Sequence, residues 1–464
     1  MDDRRVCVIG AGACGIIAAK TLQQRGIPYD CFEKGSGIGG LWRYNNDNGL
    51  SAAYKSLHIN SSRKLMAFSD FPMPSSYPDF PHHSHILEYY ENYVEHFGIR
   101  DHIRFETTVE EVIPTENGYR VRITQGALTE ERTYASVIVA NGHHWSPRKP
   151  EFTGEFNGES FHSFHYKTTE GLEDKRVLVV GIGNSGCDIA SEVSRVAEKT
   201  WLSTRRGAHI IPKYIFGQPL DRVSRPFMWN YLPFRLFQRL FGAVLRISRG
   251  RLTRFGLPEP THRVLEEHPT VAADLLNLIG HGRISVKPNV HLLSGDQVVF
   301  TDGSAEDVDV IIYATGYDIR FPFLDPAVLN PENNEVPLYK RVAAPSHPGL
   351  YFVGLVQPWG PLNPLSEAQS EWIADLIGGQ ALLPSETEMR KDIRKERQRM
   401  QKRYANSIRH TIQVDFHPYL KQLRQVRKQC QRLARRANLQ PEVFPLPQSG
   451  PTQNSNPGRL RRSA

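Results

Sequence analysis

The stretch RRVCVIGAGACG, residues 4–15, decides the fold. Four apolar residues, Val6 to Ile9, read as a buried strand. They run into Gly10-Ala11-Gly12-Ala13-Cys14-Gly15, and a helical pattern, IIAAKTLQQRG, closes on Gly26. A second strand, YDCFEK, follows and carries Glu33 at its end. Strand, GxGxxG, helix, strand, acid is the order of a dinucleotide-binding unit. Gly10 permits the tight turn, Gly12 lets the backbone approach a pyrophosphate, and Gly15 lets helix and strand pack closely. Ala13 opens the helix whose N-terminus faces the phosphates, and Glu33 is placed to accept from a ribose hydroxyl.

Six residues past Glu33 begins Gly39-Gly40-Leu41-Trp42. Alone, a glycine pair is a plain turn; after the fingerprint it resembles the second pair of two-dinucleotide flavoproteins, where the chain runs close to the flavin nucleotide, so Gly40, Leu41 and Trp42 point to FAD in this unit. A second fingerprint follows at residues 175–186, KRVLVVGIGNSG, with Gly181, Gly183, Asn184, Ser185 and Gly186 in the corresponding places. Its next strand, TWLSTRR, ends in Ser203, Thr204, Arg205 and Arg206, with no acid where Glu33 stood. A carboxylate there would repel a ribose 2′-phosphate, whereas hydroxyls and a guanidinium bind one. Thr204 and Arg205 therefore point to NADPH. Two unlike nucleotide sites in one chain imply hydride transfer from a nicotinamide to a flavin.

Composition supports a globular, reducing-compartment protein and excludes several other classes. Of 464 residues 39% are hydrophobic, ample for two or three cores. The five cysteines are scattered, with no CxxC, which argues against zinc sites, disulfide scaffolds and dithiol redox centres. The chain enters its first strand at once, so no secretory leader is expected, and it has no apolar run of spanning length. A cytoplasmic location is the expectation. The net charge of +8 is local: 19 of the 57 Lys and Arg, but 4 of the 49 Asp and Glu, lie from Arg390 onward. The remainder, 38 basic against 45 acidic residues, gives no ground for nucleic-acid binding.

The expected fold class is α/β, with two Rossmann-like domains and the NADP-binding domain inserted in a discontinuous FAD-binding domain. Residues 1–150 form the first part of the FAD domain, 151–315 the NADP domain and 316–385 the second FAD part. A basic helical region, 386–440, and a disordered tail, 441–464, complete the chain. VEEVIPTENGYRVRI reads as two strands about Asn117-Gly118, and TYASVIVANGHH as one buried strand ending at Gly142. Within the NADP domain, residues 214–258 look like an extra element. Arg235, Arg239, Arg246 and Arg249 alternate there with apolar pairs at helical spacing. A peripheral membrane contact through 227–249 and a helix covering the substrate tunnel or packed on the core are both open readings. The basic run after Arg390 reads as a solvated face.

Between the fingerprints lies FNGESFHSFHY, residues 156–166. It resembles the FxGxxxHxxxY signature of the flavin-containing monooxygenases, and YATGYD, 313–318, resembles their ATGY-type signature. YKSLHINSSRKLMAFSDFP, HPTVAADLLN, GLVQPWGPLNPLSEAQSEW and RHTIQVDF are similar to further family segments. The resemblance runs from about Val6 to about Phe416 and points to the single-component, vertebrate-type enzymes. It implies FAD, NADPH and O2, with oxygen transferred through a C4a-hydroperoxyflavin to a soft nitrogen or sulfur of a small amine or sulfide. Asn60 matches the family asparagine beside the flavin, the residue expected to be catalytic, and Ser61 and Gln357 lie in cofactor-contacting segments. His162 and Tyr166 are expected to fix the interdomain linker. Where family members end in an apolar anchor, this tail is polar and basic. The alternatives are Baeyer–Villiger oxygenation of ketones, whose signature ends in Trp rather than Tyr166, and a non-oxygenating NADPH–flavin redox protein. A homodimer is an open reading.

Overall fold

The computed structural model describes residues 4–223, 233–404 and 411–441. Two five-stranded parallel sheets form its frame. In the first, the order is Leu350–Phe352, Ser136–Val139, Val6–Ile9, Tyr29–Phe32, Ile103–Arg104. In the second it is Ile284–Lys287, Lys199–Ser203, Arg176–Val180, Val310–Tyr313, Glu159–His162. Each fingerprint strand is central. The strand after its helix lies on one side, and the strand that runs up to Ala140 or Ala314 lies on the other. All five strands of the second sheet fall, in sequence, between the fourth and fifth strands of the first. The NADP-type unit is thus inserted in the FAD-type unit.

The central strands are apolar throughout because both faces of a parallel sheet are covered. Val6, Cys7, Val8 and Ile9 are all buried. On one face of the first sheet pack the helices Ala13–Gln24, His83–His96, Asn363–Ile377 and Phe416–Arg436. On the other lies an antiparallel meander, Thr107–Thr115, Gly118–Gln125 and Leu128–Tyr134. The single strand read from TYASVIVANG is two: Leu128–Tyr134 closes the meander, and Ser136–Val139 enters the parallel sheet. Their burial explains the division, since the first is largely solvated and the second is buried at every position.

The C-terminal region is more than a solvated basic face. Phe416, Tyr419, Leu423, Val426, Cys430 and Ala434 of the last helix are buried, at helical spacing. Arg427 pairs with Glu371 and, at 2.6 Å, with Asp375, whose side chain is 1% exposed. Gln413–Asp415 also pairs with Gln357–Trp359 as a two-stranded parallel ladder. Residues 442–464 lie outside the described residues. Among the described residues no helix is long and apolar enough to cross a membrane.

Candidate active site

The two fingerprints fold alike because their glycines meet the same obstacle. Gly10 has φ +96°, and a Cβ there would stand 2.9 Å from the Ala140 carbonyl oxygen. Gly181, at φ +119°, faces Ala314 in the same way. A Cβ on Gly15 or Gly186 would overlap the carbonyl of Gly10 or Gly181. The third glycine is thus required by helix-on-strand packing within the unit itself. Gly12 differs: its nearest neighbour is the Cα of Gly40, 3.6 Å from an added Cβ. Gly12 and Gly40 form a narrow backbone cradle that any side chain would fill, as close approach to a pyrophosphate demands.

Glu33 is buried against the first glycine loop. One carboxylate oxygen accepts from the Ala11 N–H at 2.8 Å, and the other accepts from the Gly35 N–H at 2.8 Å and from Asn48 Nδ2 at 3.1 Å. At the corresponding place in the second unit, the Ser203 hydroxyl donates to the Pro288 carbonyl and the Thr204 hydroxyl to the Arg206 carbonyl, both at 2.6 Å. Thr204 is buried. Arg206 pairs with Glu267 at 3.6 Å. Arg205 is exposed and has no counter-ion among the described residues, so its guanidinium is available to an anion.

A cavity of about 1290 Å3 joins the units. Ala13, Leu41, Trp42, Asn60, Ser61 and Gln357 reach it from the first, and Gly181, Gly183, Asn184, Ser185, Thr204 and Arg205 from the second. Gly10, Gly12, Gly15, Glu33, Gly40 and Gly186 are not in its wall. Gly10 and Gly12 lie in the first strand–helix turn, Gly15 and Gly186 in the first turns of their helices, Gly40 in the Gly40–Trp42 turn, and Glu33 just past the strand Tyr29–Phe32. The volume exceeds that of a single drug-sized ligand. The donor set fits two dinucleotides: two glycine turns, each at a helix N-terminus, an acid beside one and an arginine beside the other.

Asn60 stands where this cavity meets a side chamber of about 140 Å3. Its carboxamide has no hydrogen-bond partner among the described residues, so it remains available to a bound group. Asn184, by contrast, accepts from the Val271 N–H at 2.7 Å. Sequence reasoning missed Asp221, which holds the Asn60 loop: its carboxylate accepts from the Ser62 N–H at 2.5 Å. Only its position in the 214–258 segment hinted at this.

The 156–166 segment pins the two units together. Glu159–His162 is an edge strand of the second sheet, and a Cβ on Gly158 would stand 2.5 Å from the Asp309 carbonyl oxygen. His162 meets Tyr317 edge-on, with ring centroids 5.2 Å apart, so the two signature segments touch. Its Nδ1 accepts from the Phe164 N–H, and burial lowers its pKa to about 4. His162 is therefore a neutral, packed ring at physiological pH. Tyr166 packs against Tyr54 of the first unit, and Lys167 donates to the carbonyls of Ser51 (2.8 Å) and Ala53 (3.1 Å). The two crossings between units are also joined: the Arg148 N–H donates to the Gly316 carbonyl, and Arg148 Nε donates to Asp318 at 2.7 Å.

Comparison with known proteins places this geometry. Residues 3–436 match the family model described as flavin-binding monooxygenase-like. Flavin-containing monooxygenase 5 of Rattus norvegicus is 40% identical, over 90% of this chain and 81% of its own. Dimethylaniline monooxygenase [N-oxide-forming] 2 of the same species is 36% identical, over 90% and 82%. Among solved structures, S-allyl-L-cysteine S-oxygenase from Allium sativum superimposes with a TM-score of 0.69 at 27% identity, covering 93% of this chain and 91% of its own.

Proposed function

Because the chain belongs to the flavin-binding monooxygenase-like family, and is an FAD- and NADPH-dependent monooxygenase acting on small molecules and O2, we propose that it oxygenates a soft nitrogen or sulfur atom. The observation that carries this reading is Asn60, without a hydrogen-bond partner among the described residues and in the wall of both the nucleotide cavity and the side chamber. Bound flavin, reduced by NADPH, supplies the activated oxygen. The protein supplies position and dryness. Ala13, Leu41, Trp42 and Ser61 hold the flavin side, over the cradle of Gly10, Gly12, Gly15 and Gly40. Glu33 orders that loop and takes a ribose hydroxyl. Gly181, Gly183, Asn184, Ser185 and Gly186 hold the pyridine nucleotide, and Arg205, shaped by Thr204, takes its 2′-phosphate. Asn60 donates a hydrogen bond at the reacting centre, and Gln357 closes the cavity from the opposite strand. His162 and Tyr166 position the linker. The names of the N-oxide-forming and S-oxygenating relatives support the choice of heteroatom, as does Tyr166.

The test is oxygen-dependent NADPH oxidation by the flavin-loaded protein with thioanisole, N,N-dimethylaniline and cyclohexanone, products identified by mass. Sulfoxide or N-oxide is expected. Lactone alone would overturn the choice of heteroatom.

We place in the same proposal a contact with the membrane surface. The helix Phe234–Arg249 packs through Phe237 and Leu245 and leaves Leu236, Leu240 and Ile247 in one exposed row, Ile247 at 86%. Arg235, Arg239 and Arg246 flank that row, as suits an anionic interface. Residues 227–232 of the expected contact lie outside the described residues. The substitution I247E should abolish cosedimentation with anionic vesicles. Equal binding by both proteins would remove this contact.

A further inference from the structure

The side chamber holds a cation with no ion-pair partner among the described residues. Lys213 lines it, half-buried. Its ammonium donates one long hydrogen bond, 3.4 Å, to the Ile59 carbonyl and lies 5.2 Å from the centre of the Phe80 ring. No carboxylate stands within ion-pairing distance of it among the described residues. Asp188 is the largest nearby negative influence, and its carboxylate already accepts from the Tyr54 hydroxyl at 2.7 Å. Burial lowers the Lys213 pKa from its ordinary value. A desolvated ammonium without a partner is costly, and an anion delivered beside it relieves that cost.

Leu65, Val271, Trp359 and Phe416 add apolar surface to its wall. Its mouth is Asn60. The space, about 140 Å3, suits the head of a small molecule rather than a whole drug-sized ligand. Asp221 also lines the chamber; its Oδ2 accepts from the Ser62 N–H, and the positive charge of Arg222 beside it offsets its own. Charge, size and the position of the mouth converge on one occupant.

We propose that the chamber is the substrate subsite and that Lys213 receives a carboxylate on a small sulfide, holding the sulfur at Asn60. The inference rests on the heteroatom reading above and adds a substrate class to it: short thioether acids. The carboxylate and Lys213 form a charge-assisted pair in a partly desolvated site, where an uncharged amide of the same shape leaves the ammonium unpaired.

The test uses three matched probes with the flavin-loaded enzyme: 3-(methylthio)propanoate, 3-(methylthio)propanamide and 3-(methylthio)propylamine. The acid is expected to exceed the amide in kcat/KM by about tenfold or more, with the amine poorest. In K213M the acid-to-amide ratio should fall to about one, and K213R should restore part of it. Equal turnover of acid and amide in the wild type overturns the proposal, as does a preference for the amine or a ratio that survives K213M. Should none of the three yield sulfoxide, the heteroatom reading fails separately, and binding then decides. Thermal stabilisation by the acid that is present in the wild type and absent in K213M supports the subsite. Equal stabilisation of both, or of neither, overturns it.

Discussion

Arg205 carries the choice of pyridine nucleotide in the proposed site, because among the guanidinium groups of the cavity wall it is the one with no counter-ion among the described residues. Arg205→Ala should raise KM for NADPH by about 10- to 100-fold, the worth of a charge-assisted phosphate contact, and change KM for NADH far less. Steady-state kinetics with both nucleotides reads this directly, and equal effects would remove the assignment. Asn60 and Arg205 were both legible in the sequence, since each stands at a fixed distance from a glycine fingerprint or in a signature segment. Asn60→Ala should keep bound flavin and its reduction by NADPH while product per NADPH falls by about tenfold or more. Product and hydrogen peroxide measured together check it. Asp221 was not legible, because nothing in a lone acid marks which backbone N–H it will meet. His162 carries a prediction of a different kind. Its folded pKa, about 4, lies below the ordinary value of 6.5, so the unfolded chain binds the extra proton first. Its contribution to stability is complete above pH 6.5 and is lost as pH falls from 6.5 towards 4. His83, also lowered to about 4 by burial, acts in the same sense. The melting temperature should therefore fall less between pH 7 and 5 in His162→Asn than in the wild type.

Among the elements, the glycine turns separate binding from folding. Gly12→Ala introduces only an ordinary contact with Gly40, at 3.6 Å, yet occupies the cradle. It should fold with near-native stability and retain much less flavin, seen as loss of visible absorbance on gel filtration. Gly15→Ala should instead destabilise the fold, because its Cβ would overlap a strand-end carbonyl. The strands, the first helices and both turns were readable because an apolar run followed by GxGxxG leaves few conformations open. The division of residues 128–139 between two sheets was less so, because which sheet an apolar strand enters depends on partners remote in sequence. The last helix shows the same limit. Its basic composition masks an apolar stripe that becomes a packing face only once the helix Asn363–Ile377 lies beneath it.

For the whole molecule, the tail and the linker decide how the units are held. Arg427→Ala would leave the Asp375 carboxylate buried with Arg25 and Gln431 as its side-chain partners among the described residues. Stability should drop by about 2–3 kcal/mol in denaturant unfolding, as when one partner of a buried pair is removed. Two nucleotide-binding units, their cofactors and the insertion of one within the other followed from residue order, because the local geometry of a glycine turn is written in adjacent residues. The meeting of Asn60, Asn184 and Lys213 at one chamber did not follow. Those residues come from three distant segments, and their spacing is set by the packing of the 156–166 linker, the paired crossings at Arg148 and Gly316, and the docked C-terminal helix. A side chamber is the space that packing leaves between elements, and no local pattern encodes the space between residues that are neighbours only after the chain has folded.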